Sequence, residues 1–199
     1  MRWAEIVLVC VLVLAVFGTT LWVTANRLDR LHRKVSASRM ALDAQLVRRA
    51  SAAVDLATSG LLDPASAIVV ADAAYAVLDD DATISPGEAV NRALHADSLG
   101  DQREREESTL SATLRSALDD AGDLAELNAD PAGSQLAAAL AAAWYRAQLA
   151  RRFHNEAVAQ SVRARRHWYV RWFRLAGYAP MPQTVELDDN EGNLPLHHG

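Results

Sequence analysis

The sequence predicts an all-α protein in which an N-terminal transmembrane helix leads into an antiparallel four-helix bundle with long first and last helices. Three observations predict this fold. Residues 6–25 contain no charged side chain, whereas charged residues are frequent after them. The rest of the chain is rich in Ala, Leu, Arg, Glu and Gln, which favour helices, and its Gly and Pro residues fall at a few boundaries. Its apolar residues recur every three, four or seven positions, as on one face of a helix.

The apolar run 6–25 has the length of a membrane span. Its twenty residues reach about 30 Å at 1.5 Å per residue, the thickness of the hydrocarbon core of a bilayer. Twelve of them are Ile, Val, Leu or Phe. At −0.3 to −0.6 kcal/mol each, these residues favour insertion by about 4 to 7 kcal/mol. We therefore expect a transmembrane helix here, and a function that belongs to a domain attached to the bilayer.

The charges on either side of this run predict its orientation. Arg2 and Glu5 precede the run. Five basic residues follow it closely: Arg27, Arg30, Arg33, Lys34 and Arg39. The positive-inside rule then places residues 1–5 outside the cell and residues 26–199 in the cytoplasm. The alternative is a cleaved signal peptide, because Val23-Thr24-Ala25 is an acceptable cleavage site, but the length of the run and its basic C-terminal flank favour the anchor.

The first bundle helix is expected to continue from the membrane span without a break. Its apolar residues recur at spacings of three, four or seven: Leu28, Leu31, Val35, Leu42, Leu46, Ala53 and Leu56. A second line runs beside them at a spacing of seven: Met40, Val47, Val54 and Leu61. Two adjacent lines form the wide face of a bundle helix, not the narrow seam of a dimeric coiled coil. Gly60 is expected to end this helix, and Asp63-Pro64 to cap and start the next.

Further helices are expected over 64–79, 86–98, 102–127 and 131–176. Asp79-Asp80-Asp81 opposes the dipole at the end of the first of these, so that helix should stop there. Ser85-Pro86-Gly87-Glu88 has the form of a capping box, and Asp130-Pro131 repeats the Asp-Pro cap. The apolar line of the last helix is Leu136, Leu140, Trp144, Ala147, Phe153, Ala157 and Val162.

The helical bundle domain is expected to span residues 26–178. Residues 179–199 contain three prolines, a glycine at 192 and four acidic residues. This composition cannot bury much apolar surface and is typical of a disordered acidic tail.

Several segments, in this order and spacing, resemble a known family. They are Asn26-Arg27-Leu28 with Leu42-Asp43-Ala44-Gln45-Leu46-Val47-Arg48-Arg49, Glu107-Ser108-Thr109-Leu110-Ser111-Ala112-Thr113-Leu114, Ala150-Arg151-Arg152-Phe153-His154-Asn155-Glu156-Ala157-Val158, and Leu175-Ala176-Gly177-Tyr178. Together they are similar to the LemA family of membrane-anchored bacterial proteins. His154 stands where that family usually has Tyr, so the chain resembles a divergent member. The resemblance implies a four-helix bundle on a single-pass anchor in the bacterial plasma membrane, with no established enzymatic activity.

The charged residues are segregated along the chain. Residues 26–55 hold seven basic and three acidic residues, and residues 60–130 hold four basic and sixteen acidic residues. Residues 146–174 hold eight basic residues and one acidic residue, Glu156. The basic outer helices could pair with the acidic inner ones, at about 0–1 kcal/mol for each exposed pair. Alternatively, they bind something outside the bundle. The sequence leaves both explanations open.

The second explanation defines a candidate site, which we call the basic aromatic surface. It combines the start of the first bundle helix with the end of the last one: Arg27, Arg30, Arg33, Lys34, Arg163, Arg165, Arg166, Trp168, Tyr169, Arg171, Trp172 and Arg174. Arginine interleaved with tryptophan and tyrosine is typical of a helix at a membrane interface, where rings lie at the headgroup level and guanidinium groups bind anionic phosphates.

Topology decides what the basic aromatic surface faces. If residues 64–98 form one returning layer, the last helix ends at the membrane, beside the first basic run. If 64–79 and 86–98 run antiparallel to each other, the same end points into the cytoplasm and becomes a candidate contact for a protein or a nucleic acid. We expect the membrane-proximal arrangement.

The sequence carries no pattern of an enzyme, cofactor or metal site. It lacks a glycine-rich phosphate loop, a nucleophile elbow, the His-Glu-x-x-His zinc motif and the Glu-x-x-His motif of di-iron bundles. Asp29 and His32 share a helix face, but beside the headgroups we expect a solvated pair. The single cysteine, Cys10, cannot form an internal disulfide or a zinc site by itself. We therefore expect no catalytic residue, no cofactor and no metal.

The expected function is that of a membrane-anchored interaction or scaffold protein. Its expected partners are the bilayer through residues 6–25, anionic lipid headgroups and an unidentified protein. The alternative function is nucleic-acid binding through the basic last helix, which the net charge of −5 and the acidic tail disfavour. The sequence leaves homo-oligomerisation open.

Overall fold

The computed structural model describes residues 2–82, 101–166, 170, 172 and 182–186. Regular secondary structure in these residues is entirely helical, which confirms the predicted all-α class. Five helices are described: α1 (Arg2–Thr58), α2 (Pro64–Ala82), α3 (Asp101–Ala117), α4 (Ala121–Ala129) and α5 (Pro131–Arg165). The predicted helix over 86–98 lies outside the described residues.

The first helix is long and has two different halves. α1 contains 57 residues and is therefore about 85 Å long. All side chains from Arg2 to Thr20 are exposed, including Leu14 with 68% of its surface accessible. Among the described helices, α1 is the one long and apolar enough to cross a bilayer, a criterion that a signal sequence near the N-terminus also meets. From Leu28 onward, α1 buries one face against other helices.

The turn between α1 and α2 follows the sequence prediction. Gly60 has φ = 75°, in the left-handed region that ends a helix. Asp63 Oδ1 accepts the backbone N–H groups of Ala65 and Ser66 at 2.9 and 3.2 Å, so it caps α2 while Pro64 takes the first helical position. Hydrogen bonds from the Ser66 side chain and backbone lower the pKa of the Asp63 carboxyl.

Replacing Gly60 with alanine is expected to lower the free energy of unfolding by about 1 to 2 kcal/mol, because an L-residue with a Cβ is strained in the left-handed region. Space does not oppose the change, since no atom of the described residues lies within 4 Å of the added Cβ. Urea unfolding of the protein in detergent micelles, followed by circular dichroism, measures the loss. Gly60→Asn is the matched control: asparagine tolerates this conformation, so its loss should be smaller. Equal stability of Gly60→Ala and the native chain would contradict the prediction.

α5 runs antiparallel to α1. Lys34 donates a hydrogen bond to Gln160 at 3.1 Å, and Ser38 lies 3.1 Å from His154, so residue numbers rise along α1 as they fall along α5. This is the largest helix–helix interface among the described elements. It returns the C-terminal end of α5 to the part of α1 that follows the apolar run.

α3 runs parallel to α1. Arg49 of α1 bonds Glu107 of α3, and Leu61 and Leu118, just beyond the ends of the two helices, line the same cleft. α2 starts at the turn after α1, leads back, and packs against both helices. α1 and α3 therefore lead away from the apolar run, whereas α2 and α5 lead towards it.

The apolar core lies where α1, α2 and α3 meet the first half of α5. Its largest members are almost completely buried: Leu56, Val70, Val77, Leu110, Leu114, Leu118, Leu127, Leu140 and Trp144. A second, smaller cluster joins α1 and α5 closer to the apolar run, through Leu42, Leu46 and Ala147. Many core positions are alanine, which lets the helix backbones approach closely.

The prediction of one helix over 102–127 is wrong. α3 ends at Ala117, and α4 starts at Ala121 after Asp120, whose carboxylate accepts the backbone N–H of Gly122 at 2.6 Å. A local Asp cap outweighs the apolar periodicity here, because the side chain offers the backbone a partner outside the first helix. α4 then packs on α5 at Gly133, where an added Cβ would lie 2.2 Å from the Leu127 carbonyl oxygen.

Two other expectations also differ from the structure. α2 continues through the three aspartates to Ala82, so their unfavourable interaction with the dipole does not end the helix at residue 79. Phe153, expected to face the core, has 63% of its surface exposed, while His154 beside it is buried. The predicted end of the last helix at residue 176 lies outside the described residues, although Val170 and Trp172 are helical.

Part of the expected disordered tail is docked. Residues 182–186 form a segment without helix or strand, and Val185 is 1% exposed against the smaller core cluster. Asn155 of α5 binds both backbone polar groups of Val185, at 3.0 and 3.1 Å. In the structure, the apolar side chain and both backbone polar groups of Val185 thus find partners on the bundle, in a segment that the sequence predicts to be disordered. The remaining residues of 179–199 lie outside the described residues.

Candidate functional site

The two basic runs of the basic aromatic surface, one on α1 and one at the end of α5, lie together. His32 of α1 contacts Arg165 of α5, and Lys34 donates to Gln160 one turn away. Because α1 and α5 are antiparallel, the end of α5 lies beside the part of α1 that directly follows the apolar run. The described cations of the basic aromatic surface thus lie together, at the end of the packed helices that is nearer the apolar run.

Most described cations of this surface are exposed. They are Arg27, Arg30, Arg33, Lys34, Arg163 and Arg166. Trp172 is also exposed, with 77% of its surface accessible. Arg165 differs, since it is 7% exposed and faces His32. Trp168, Tyr169, Arg171 and Arg174 lie outside the described residues.

Two carboxylates interrupt the positive charge. Asp29 pairs with Arg33 one turn along α1, and Glu156 pairs with Arg163 at 3.2 Å. A hydrogen bond from Gln160, followed by the nearby charge of Arg163, lowers the pKa of Glu156. Both pairs are exposed, so each stabilises the fold little. In the described part of the chain, the surface therefore carries six exposed cations and two carboxylates, and is strongly positive.

Farther from the apolar run than this surface, the helices enclose a buried ionic cluster, which we call the Arg49 cluster. Arg49 is 1% exposed and bonds the Glu107 carboxylate at 2.7 Å and the Ser111 hydroxyl at 2.9 Å. Arg103 reaches the other oxygen of the same carboxylate at 3.2 Å. The Arg49 guanidinium also lies 4.8 Å from the ring centroid of Trp144, within range of a cation–π interaction. The Glu107 carboxylate thus links α3 to α1, and the Trp144 indole links α5 to Arg49 of α1.

A second buried polar group lies between α1 and α5, closer to the apolar run. His154 is 2% exposed, and its Nδ1 lies 3.1 Å from the Ser38 hydroxyl. Burial, and secondly the positive charge of Arg39, lower the pKa of His154 to about 4. The imidazole is therefore neutral at pH 7. Arg39, Ser161 and Arg165 are also buried along this interface, so it is polar where the opposite end of the bundle is apolar.

These buried charges were not predicted from the sequence, although their spacing contains the information. Arg49 lies seven residues after Leu42 and seven before Leu56, so it completes the apolar line of α1. Glu107 stands seven residues before Leu114 in the same way. A charged residue at a core position of a helix predicts a buried partner, because an unpaired buried charge is strongly unfavourable. The identity of that partner required the structure.

Within the described residues, no three His, Cys, Asp or Glu side chains are close enough together to hold a metal ion. Cys10 is exposed on the apolar half of α1.

Comparison with models of protein families, with curated proteins and with solved structures found no match to this chain. The resemblance to the LemA family therefore stays a prediction that rests on its sequence segments.

Proposed function

We propose that this protein is a membrane-anchored helical-bundle scaffold of the LemA type. Residues 6–25 span the bacterial plasma membrane, the N-terminus lies outside, and a four-helix bundle lies in the cytoplasm. There it presents the basic aromatic surface to anionic headgroups and holds a protein partner. One observation carries the proposal: the cations that follow the apolar run and the basic end of α5 form one surface.

The position of that surface fits a bilayer. A span that ends at Ala25 leaves Arg27, Arg30 and Lys34 within two turns or so of the headgroups, at 1.5 Å per residue. Each Lys or Arg near an anionic leaflet contributes about 1 kcal/mol of attraction. Six exposed cations against two carboxylates therefore attract the bundle towards the inner leaflet with several times the thermal energy. The exposed Trp172 is the type of side chain that favours the headgroup region.

The segments that resemble the LemA family contact one another in the structure. The segment that ends at Arg49 and the segment that starts at Glu107 are joined by the Arg49 cluster. The late segment, 150–158, supplies His154 to the α1–α5 interface and Asn155 to the docked tail. The alternating helix directions agree with an antiparallel four-helix bundle.

The membrane contact is tested with residues 26–199 and lipid vesicles. This domain is expected to float with vesicles that contain anionic phosphatidylglycerol and not with pure phosphatidylcholine. The triple change Arg27→Gln, Arg30→Gln, Arg166→Gln is expected to weaken binding about 100-fold, since each lost cation contributes about 1 kcal/mol. Circular dichroism establishes that both forms are helical.

The matched control removes the same charge elsewhere. Arg48, Arg105 and Arg146 are exposed on three different helices, away from the basic aromatic surface. Changing these three to Gln should leave most of the vesicle binding intact. Binding that ignores anionic lipid, or that falls equally in both triple variants, would refute the membrane contact. Salt-sensitive binding to nucleic acid in place of vesicles would favour the alternative function.

A further inference from the structure

The docked tail segment reveals how one groove of the bundle recognises a peptide. Asn155 Oδ1 accepts the Val185 N–H at 3.0 Å, and Asn155 Nδ2 donates to the Val185 carbonyl at 3.1 Å. In an extended chain, the N–H and C=O of one residue point to the same side, so a side-chain amide can bind both as a neighbouring strand would. These two bonds involve the backbone alone and therefore accept any extended peptide.

The groove also contains a socket for one side chain. Val185 is 1% exposed and packs against Leu42 and Leu46 of α1 and Ala147 of α5, with Ala150 at the edge. Ala147 and Ala150 stand three apart on one face of α5, and their small side chains leave the space that Val185 fills. Gln183, Thr184 and Glu186 are exposed on either side. The socket therefore selects one apolar residue of about the size of valine and leaves its neighbours in solvent.

Charge at the rim favours an acidic peptide. Arg151 and Arg152 of α5 line the same open groove as Glu186. Glu156 also lines this groove, but its carboxylate is paired with Arg163. The chain continues after Glu186 with Leu187-Asp188-Asp189, so the natural occupant is acidic on its C-terminal side. Basic side chains beside an acidic segment attract it and set its direction in the groove.

The occupant is held in place by few contacts. One buried valine and two hydrogen bonds would bind a free peptide weakly, but fifteen residues connect Arg166 to Pro182 and give the segment a high effective concentration. A partner present at high local concentration, or one with additional contacts, can displace such a segment. The groove begins at Leu42, sixteen residues beyond Asn26, and so lies about 24 Å from the end of the apolar run, outside the bilayer.

We propose that the groove between α1 and α5 is a binding site for an extended acidic segment of a partner protein, with a β-branched residue in the Leu42–Leu46–Ala147 socket. Residues 182–186 occupy this site in the free protein and compete with the partner. The site adjoins the basic aromatic surface at Glu156 but uses none of its cations, and it does not depend on membrane contact.

The test uses the full chain in detergent and a fluorescent peptide that copies residues 182–189. Val185→Asp removes the side chain from the socket and frees the groove. The peptide is expected to bind this variant saturably and to bind the native chain at least tenfold more weakly, as measured by fluorescence polarisation. Thr184→Asp is the matched control: the residue is exposed, so its segment stays docked and blocks the peptide.

Three further variants make the outcome decisive. Asn155→Ala in the Val185→Asp chain should weaken peptide binding about tenfold or more, because two hydrogen bonds to the peptide backbone are lost. A peptide with Asp in place of the central Val should not bind. Val185→Ser tests the same release with a milder change if Val185→Asp lowers the helical content. Failure of the peptide to bind either freed chain, or equal binding with and without Asn155, would overturn the proposal.

Discussion

Replacing Glu107 with leucine is expected to lower the free energy of unfolding by about 3 to 5 kcal/mol, the typical loss when one partner of a buried ion pair is removed. The carboxylate is completely buried and is shared by Arg49 and Arg103, which are 1% and 4% exposed. Without it, two buried guanidinium groups lose the counter-charge that they share. A domain of this size is stable by about 5 to 15 kcal/mol in total, so the change removes a large fraction.

Arg49→Met should have a smaller effect than Glu107→Leu. It leaves Glu107 paired with Arg103, and the methionine fills part of the space beside Trp144. The triple variant Arg49→Met, Arg103→Met, Glu107→Leu should recover most of the stability that Glu107→Leu loses. A well-packed apolar cluster then replaces a buried ionic one, at little net difference in stability. The effects of the single changes on the free energy of unfolding are therefore expected to be strongly non-additive.

Urea unfolding in detergent micelles, followed by circular dichroism, measures these differences. The matched control is Glu126→Leu, which removes an exposed carboxylate from α4 and should change stability by less than about 0.5 kcal/mol. A loss below about 1 kcal/mol for Glu107→Leu would mean that the arginines find other partners or water. A triple variant no more stable than Glu107→Leu alone would argue against the ionic origin of the loss.

Acidification from pH 6.5 to pH 4.5 is expected to destabilise the bundle through His154. Its pKa is about 4 in the folded protein, against an ordinary value of 6.5. Between these two values the unfolded chain binds a proton that the folded protein excludes, so stability is complete above pH 6.5 and falls as the pH decreases towards 4. By pH 4.5 the loss reaches about 2 to 3 kcal/mol, because each pKa unit corresponds to about 1.4 kcal/mol.

The His154→Gln variant isolates this effect. Glutamine carries no titrating group, so the dependence of stability on pH between 6.5 and 4.5 should become flatter. The free energy of unfolding at pH 7 should change by less than the loss that the native chain shows at pH 4.5. The lowered pKa values of Asp63 and Glu156 act in a different range: their contributions are complete above their ordinary values of 3.8 and 4.5, and are lost below them. Parallel stability curves for the native chain and His154→Gln would show that the imidazole does not titrate in this way.

The Arg49 cluster also bears on the proposed groove between α1 and α5. A buried ion pair adds little net stability, but its geometry is satisfied in one register of the helices. The contacts of Arg49 with Glu107 and Trp144 involve α1, α3 and α5 at one level of the bundle. We expect this register to hold Leu42 and Ala147 in the relative position that forms the socket for Val185.

The helix starts illustrate what the sequence predicts well. Asp63-Pro64 and Asp130-Pro131 both cap helices as expected, and Gly60 adopts a left-handed conformation. These features depend on hydrogen bonds and dihedral angles within a few residues, so the local sequence contains the information. The break after Ala117 was missed because apolar periodicity continues across it and masks the Asp120 cap.

For the candidate site, the sequence supplies the residues and the structure supplies their relative positions. The spacing of basic and aromatic residues predicted two positive segments, and the structure brings the described residues of both to one end. The sequence left open whether the last helix ends beside the first basic run, because that depends on how many helical layers precede it. It also assigned Arg165 to the surface, whereas its side chain faces His32.

The sequence by itself determined the helical class, the apolar N-terminal run, the helix caps and the segregation of charge, because each follows from composition or from contacts between near neighbours in the chain. Only the tertiary structure decided which charged residues are buried and which tail residue is docked. Arg49 and Glu107 are 58 positions apart, and Asn155 and Val185 are 30 apart. Whether such residues meet depends on how whole helices pack. The free energy of each contact depends on how deeply the two groups are buried and on which other groups surround them, and a local sequence pattern contains neither.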